Sequence, residues 1–189
     1  MRLSQRVLTA TIAVATVALA APAAIAPASA AKTVKVGLAY DIGGRGDKSF
    51  NDAAARGLDK AKKELKVSVK EVSATAGGAA SEREDKLRLL AQAGYNPIIA
   101  VGFLYAESVG KVAAEFPKTQ FAIIDDSSVK QPNVSSLVFA EEQGSYLAGV
   151  AAAKASKSGK IGYIGAFPTA TLYNDVNGML LGARTVNPK

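Results

Sequence analysis

The chain has 189 residues, 49% of them hydrophobic and 21% charged, enough for one full domain and the start of a second. It contains no cysteine and no histidine. That excludes disulfides and removes the commonest metal ligand and general base. The net charge of +7 is a mild excess, and Lys60, Lys62, Lys63, Lys66, Lys154, Lys157 and Lys160 are spread along the chain. Without a basic stripe, nucleic acid is not an expected partner.

The first thirty residues read as a secretory signal peptide. Arg2 and Arg6 form a basic start, Val7 to Ala20 an apolar stretch, and Ala28-Ser29-Ala30 a small-residue cleavage site. The expected address is therefore extracytoplasmic, in the cell envelope or secreted. With no cysteine for a lipid anchor, any membrane association is expected to be peripheral.

After the leader, Thr33 to Tyr40 reads as a first strand. Phe50, Ala53, Ala54, Gly57, Leu58, Ala61 and Leu65 then carry the spacing of a helix with one buried face. Val67 to Val72 alternates as a second strand. Ser81-Glu82-Arg83-Glu84 has capping-box spacing ahead of a helix that stops at Gly94. Pro97 to Val101 is wholly apolar, as in a sheet covered on both faces. A helix from Tyr105 to Phe116, strands at Gln120–Ile124 and Val134–Phe139, and a helix from Gly144 to Ser156 follow. Lys160 to Ile164 reads as a sixth strand and Leu172 to Val186 as a last helix. Strands alternating with helices predict an α/β fold with a doubly wound parallel sheet. The expected division is 1–30 leader, 31–158 first lobe, 159–189 start of a second lobe, with Gly159 at the boundary.

The chemistry concentrates in the loop Asp41-Ile-Gly-Gly-Arg-Gly-Asp-Lys-Ser-Phe-Asn-Asp52 between the first strand and helix. Such loops, at the C-terminal ends of strands, line the ligand crevice of open α/β sheets. A P-loop fails because its glycine slots hold Ile42 and Asp47. The dinucleotide pattern fails at Ser49. Asp41 and Asp47 also place negative charge where a phosphate would sit. An uncharged ligand rich in hydroxyls and ring nitrogens suits the loop better. Asp41 can accept from sugar hydroxyls, Asn51 can pair with the edge of a purine, and Phe50 can stack on its face. A purely structural role, with Phe50 in the core and Asn51 as a helix cap, stays open from the residues alone. Asp125 ends the fourth strand on the same edge, although Asp126, Ser127 and Ser128 could equally form that turn. No nucleophile-base or metal-ligand pattern occurs, so no catalytic residue, metal or cofactor is expected. Arg45-Gly46-Asp47 spells an adhesion tripeptide, too short a match to carry weight.

Asp41-x-Gly, Asp47-Lys-Ser-Phe-Asn51, Ile99-Ala-Val-Gly-Phe103, Phe121-Ala-Ile-Ile-Asp125 and Phe139-Ala-Glu-Glu-Gln-Gly-Ser-Tyr-Leu-Ala-Gly149 occur in this order. Together with Lys160-Ile-Gly-Tyr-Ile-Gly165, they resemble the basic membrane protein family, the PnrA-like substrate-binding proteins of ABC transporters. The resemblance implies a type I periplasmic-binding-protein fold of two lobes closing on a ligand, often a purine nucleoside, and an ABC permease as partner. It implies ligand contacts from Asp41, Ser49, Phe50, Asn51 and Asp125. Family members carry a lipobox cysteine, an aromatic where Asp175 stands, and a longer second lobe. The chain alone is therefore expected to bind nucleosides weakly or not at all, and to expose Leu172, Val176, Met179 and Leu180. The alternatives are a ligand-sensing module of the same fold and, further off, an exported nucleoside-acting enzyme.

Overall fold

The computed structural model of the chain describes residues 33–188; the leader assignment lies outside them. Five strands form one parallel sheet: β1 (Lys35–Tyr40), β2 (Ser68–Ser73), β3 (Ile98–Val101), β4 (Phe121–Ile124) and β5 (Val134–Leu137). Their order across the sheet is β2-β1-β3-β4-β5. Between them run α1 (Phe50–Leu65), α2 (Ala80–Gln92) and α3 (Ala106–Glu115), followed by α4 (Glu141–Ala155) and α5 (Ala170–Val186).

The strand pattern explains the layers. In β1, Val36, Leu38 and Tyr40 pack with Ala55 and Leu58 of α1, and Ala39 faces the other way. That second face meets Leu87 and Leu90 of α2 and Val109 and Val112 of α3, each fully buried. Successive strand residues alternate between faces, so a nearly continuous apolar run serves two cores. Gly37 makes room for this packing: a Cβ would lie 3.1 Å from Leu90 Cδ1, a tight contact. One helix covers the α1 face, and Ile99 and Ile124 at its far side are only half-buried.

The expected doubly wound parallel sheet is thus present, with corrections at its margins. Ser81 lies inside α2, whose N-cap is Ala79 with no side-chain cap bond. The capping box does not form: Glu84, which would reach back, instead accepts from Arg88 Nη2 and Lys111 Nζ, both at 3.0 Å. The expected sixth strand at Lys160–Ile164 is not one. It has no partner strand among the described residues, and Ile164 is wholly exposed. The helix expected from Gly144 begins at Glu141, with two carboxylates in its first turn where the helix dipole favours them.

The expected boundary at Gly159 falls between two helices packed on each other. A Cβ on Gly178 would strike the backbone of Glu142, one on Gly182 the Tyr146 carbonyl, and one on Gly149 the Met179 carbonyl. Small residues of this kind let helix backbones approach closely. This packing half-buries Leu172, Val176 and Met179, and of the four side chains expected to be exposed only Leu180 is.

Candidate ligand site at the sheet edge

The chain reverses its direction of sheet-building between β1 and β3, the place where open α/β sheets take ligands. Asp41 follows β1 and Gly102 follows β3. Gly102 has φ +98°, and a Cβ there would lie 3.0 Å from Asp41 Oδ2. The glycine therefore serves both the turn and the close approach.

Asp41 is half-buried. Its Oδ1 accepts from the Ile42 N–H at 2.8 Å and from Arg83 Nη2 at 3.4 Å. Its Oδ2 has no hydrogen-bond partner among the described residues. Arg83 is 7% exposed and lies 5.6 Å from the ring centroid of Tyr105. The Tyr105 hydroxyl donates to the Tyr40 carbonyl (2.9 Å), and burial pushes its phenol up to about 12.

The loop is tied from both ends. Asp47 accepts from the N–H groups of Ser49, Asn51 and Asp52, while Asp52 accepts from those of Gly46 and Lys48. These bonds hold the Asp47 carboxyl below its ordinary range, the Ser49 N–H contributing most. Asp47 is thus the cap of α1. Arg45 clamps the loop from outside, with two bonds to Asp59 (2.8 and 2.8 Å) and two to Glu71 (2.6 and 3.0 Å). Both charged members of the adhesion-like tripeptide are therefore committed to the fold.

The other expected residues fall out unequally. Asn51 is 3% exposed. Its amide donates to the Ile42 carbonyl (3.2 Å) and its Oδ1 has no partner. It is not a cap, since Asp47 does that work. Phe50 is half-buried against the apolar cluster under α1, so it is in part a core residue. Ser49 is exposed and makes no side-chain cap bond. Asp125 has φ +69°, and its N–H donates to the Leu137 carbonyl (2.8 Å). Asp126 makes the following turn by accepting from Ser128 N and Oγ, both at 2.7 Å. That leaves the Asp125 carboxyl without a hydrogen bond among the described residues. Burial raises its pKa, helped by Glu141, Asp175 and Asp126. With β3 between them, Asp41 and Asp125 stand two strand spacings apart, about 10 Å.

A cavity of about 200 Å³ opens beside Asp125, lined also by Phe103, Val138 and Thr169. Phe103 meets Phe167 edge-to-face, centroids 6.0 Å apart. Sequence reasoning passed over Arg83 and Phe167. Arg83 had a signal: a cation in the first turn of a helix opposes the dipole and calls for a carboxylate. Phe167 lies outside every regular element, and its pairing was not visible in the pattern.

Residues 33–189 match the family described as ABC transporter substrate-binding protein PnrA-like. The chain belongs to this family. It is 34% identical over 155 residues to the ABC transporter nucleoside-binding protein BmpA of Lactococcus lactis, covering 81% of this chain and 44% of that one. It is 30% identical over 161 residues to a CD4+ T-cell-stimulating antigen of Listeria innocua, covering 84% and 45%. The crystal structure of an ABC transporter solute-binding protein from Aeropyrum pernix superposes with a TM-score of 0.68 at 33% identity, covering 82% of this chain and 44% of that one. The chain thus spans less than half the length of these relatives, and its fold is of the type I periplasmic-binding class.

Proposed function

We propose that this family member supplies one wall of an extracytoplasmic solute-binding protein. In this reading it holds a purine nucleoside, or a similar small polar ligand, and delivers it to an ABC-transporter permease without chemical change. The observation that carries the reading is the set of polar groups that have no hydrogen-bond partner among the described residues near one sheet edge: Asp41 Oδ2, Asn51 Oδ1 and the Asp125 carboxyl. Of these, Asn51 Oδ1 is fully buried, where protein interiors rarely leave such a group unmet, while the two half-buried carboxylates keep free acceptor capacity. A flat ligand with ring N–H groups and sugar hydroxyls answers all three. Phe103, which lines the cavity beside Asp125 and is braced edge-to-face by Phe167, supplies a face for the base. Asn51 Oδ1 is covered by the loop, so the ligand reaches it only when the loop shifts. The Lactococcus relative, which bears a nucleoside-binding name, favours the same class.

The packing of α4 on α5 moves the lobe boundary we propose to the segment between β5 and α4. Lobe one is then 33–140 and α4 belongs with the second. Among the described residues no helix is long and apolar enough to cross a membrane.

The test is an NMR titration of the full chain with guanosine, adenosine and inosine, beside an assay for released base. We expect weak, saturable shifts at Asn51, Phe103 and Asp125, and intact nucleoside. Absence of shifts at these residues with all three nucleosides sinks the site, and free base in the assay moves the protein to the enzymes.

A further inference from the structure

The buried guanidinium of Arg83 is the least explained charge in the lobe. Arg83 is 7% exposed, and among the described residues its Nε has no partner and its one ion pair is the contact with Asp41 at 3.4 Å. A desolvated cation normally takes several acceptors. Here the charge is directed almost wholly at one carboxylate. The stack on Tyr105 at 5.6 Å fixes the guanidinium from behind, and Tyr105 is itself anchored to the Tyr40 carbonyl, one residue before Asp41.

The consequence lies in how the two oxygens of Asp41 are used. Oδ1 is occupied by Arg83 and by the Ile42 N–H. Oδ2 is turned to Gly102, where a side chain would crowd it. An ionised carboxylate oxygen only accepts, so this position takes hydroxyl donors and disfavours phosphate. We propose that Arg83 is a positioning residue that fixes Asp41 so that Oδ2 receives the vicinal diol of a ribose-type sugar. The edge thereby selects ribosides over sugars that lack those hydroxyls. The proposal rests on the nucleoside reading above and assigns the diol end of that ligand.

The experiment compares inosine with 2′,3′-dideoxyinosine, which keeps the base and lacks the diol, by NMR titration of the full chain. Wild type is expected to bind inosine about ten-fold more tightly, the worth of a hydrogen bond to a charged acceptor. In Arg83→Gln that ratio is expected to fall close to one, with dideoxyinosine binding unchanged. Arg83→Lys is expected to restore part of it. A merely structural arginine predicts something else: both ligands weaken together. That result, or a ratio preserved in Arg83→Gln, overturns the proposal. If Arg83→Gln does not fold, Arg83→Lys and Asp41→Asn decide. A wild-type ratio in either overturns it, and a reduced ratio in both supports it. Equal binding of the two ligands by wild type removes the diol assignment and leaves the nucleoside site standing. Binding of neither removes both.

Discussion

The sheet lobe and the α4–α5 pair are built on different principles. In the lobe, long side chains do the packing: Leu87, Leu90, Ile98, Val109, Val112 and Ile123 are fully buried between strands and helices. In α4 and α5, the buried positions are Gly149, Gly178 and Gly182. Those two helices hold together by backbone proximity, and several of their larger side chains face outward while Leu172, Val176 and Met179 are half-buried. Leu147 is 68% exposed and Leu181 57%. A core built on apolar area tolerates small shifts and suffers from lost volume. A contact built on glycine suffers from any added atom. The proposed ligand edge takes Asp41, Gly102 and Asp125 from the first kind of structure, and its cavity is closed in part by Thr169 and Ala170 at the start of α5.

The largest effect should come from removing volume in the lobe. Leu90→Ala takes a fully buried side chain from between α2 and β1 and is expected to cost about 2–5 kcal/mol. Urea denaturation should show the loss. Next, Gly182→Ala is expected to cost about 1–3 kcal/mol, all of it at the Tyr146 contact. Hydrogen exchange should then accelerate through α4 and α5 while β1, β3 and β4 keep their protection. Equal acceleration in the strands would mean that one cooperative unit spans both regions, and the contrast drawn above would fail.

Those differences were unequally legible in the sequence. The lobe was readable because its elements are local and periodic: the alternation in β1 and the helical spacing from Phe50 to Leu65 are set by neighbours along the chain. The edge was readable in part. Asp41 and Asp125 end apolar runs, and strand ends in a parallel sheet gather on one side. Which carboxylate caps a helix and which stays free was not readable, since Asp47, Asp52 and Asp126 are chemically the same as Asp41 and Asp125. Only the coordinates sort them. Lys160–Ile164 was misread because a strand pattern states a propensity, while a strand requires a neighbour. Gly178 and Gly182, four apart on one helix face, were a signal for close helix packing that went unused.

A smaller effect should follow loss of the loop clamp. Arg45 is about two-fifths exposed, so its ion pairs add at most about 1 kcal/mol to stability. Arg45→Ala should nevertheless speed exchange at the loop amides between Ile42 and Asn51. The Glu71 carboxyl, held low chiefly by Arg45, stabilises the fold above its unfolded pKa. That contribution is lost as pH falls through its folded pKa, and Arg45→Ala should flatten this part of the acid limb.

The smallest effect carries the opposite sign and probes where the two regions meet. Burial, then Glu141 of α4, Asp175 of α5 and Asp126, raise the pKa of Asp125. A carboxyl raised on folding costs nothing below its unfolded pKa, near 3.9. Its ionised form opposes folding increasingly as pH climbs to the folded value, and fully above it. Asp125→Asn keeps a residue type that accepts positive φ and removes the charge. Its urea midpoint should match wild type in acid and exceed it slightly at neutral pH. Two of the contributing acids sit on α4 and α5, so the gain should shrink when Gly182→Ala loosens that pair. An undiminished gain in the double variant would place the whole effect in burial and Asp126, and would leave Asp125 electrostatically uncoupled from the helices.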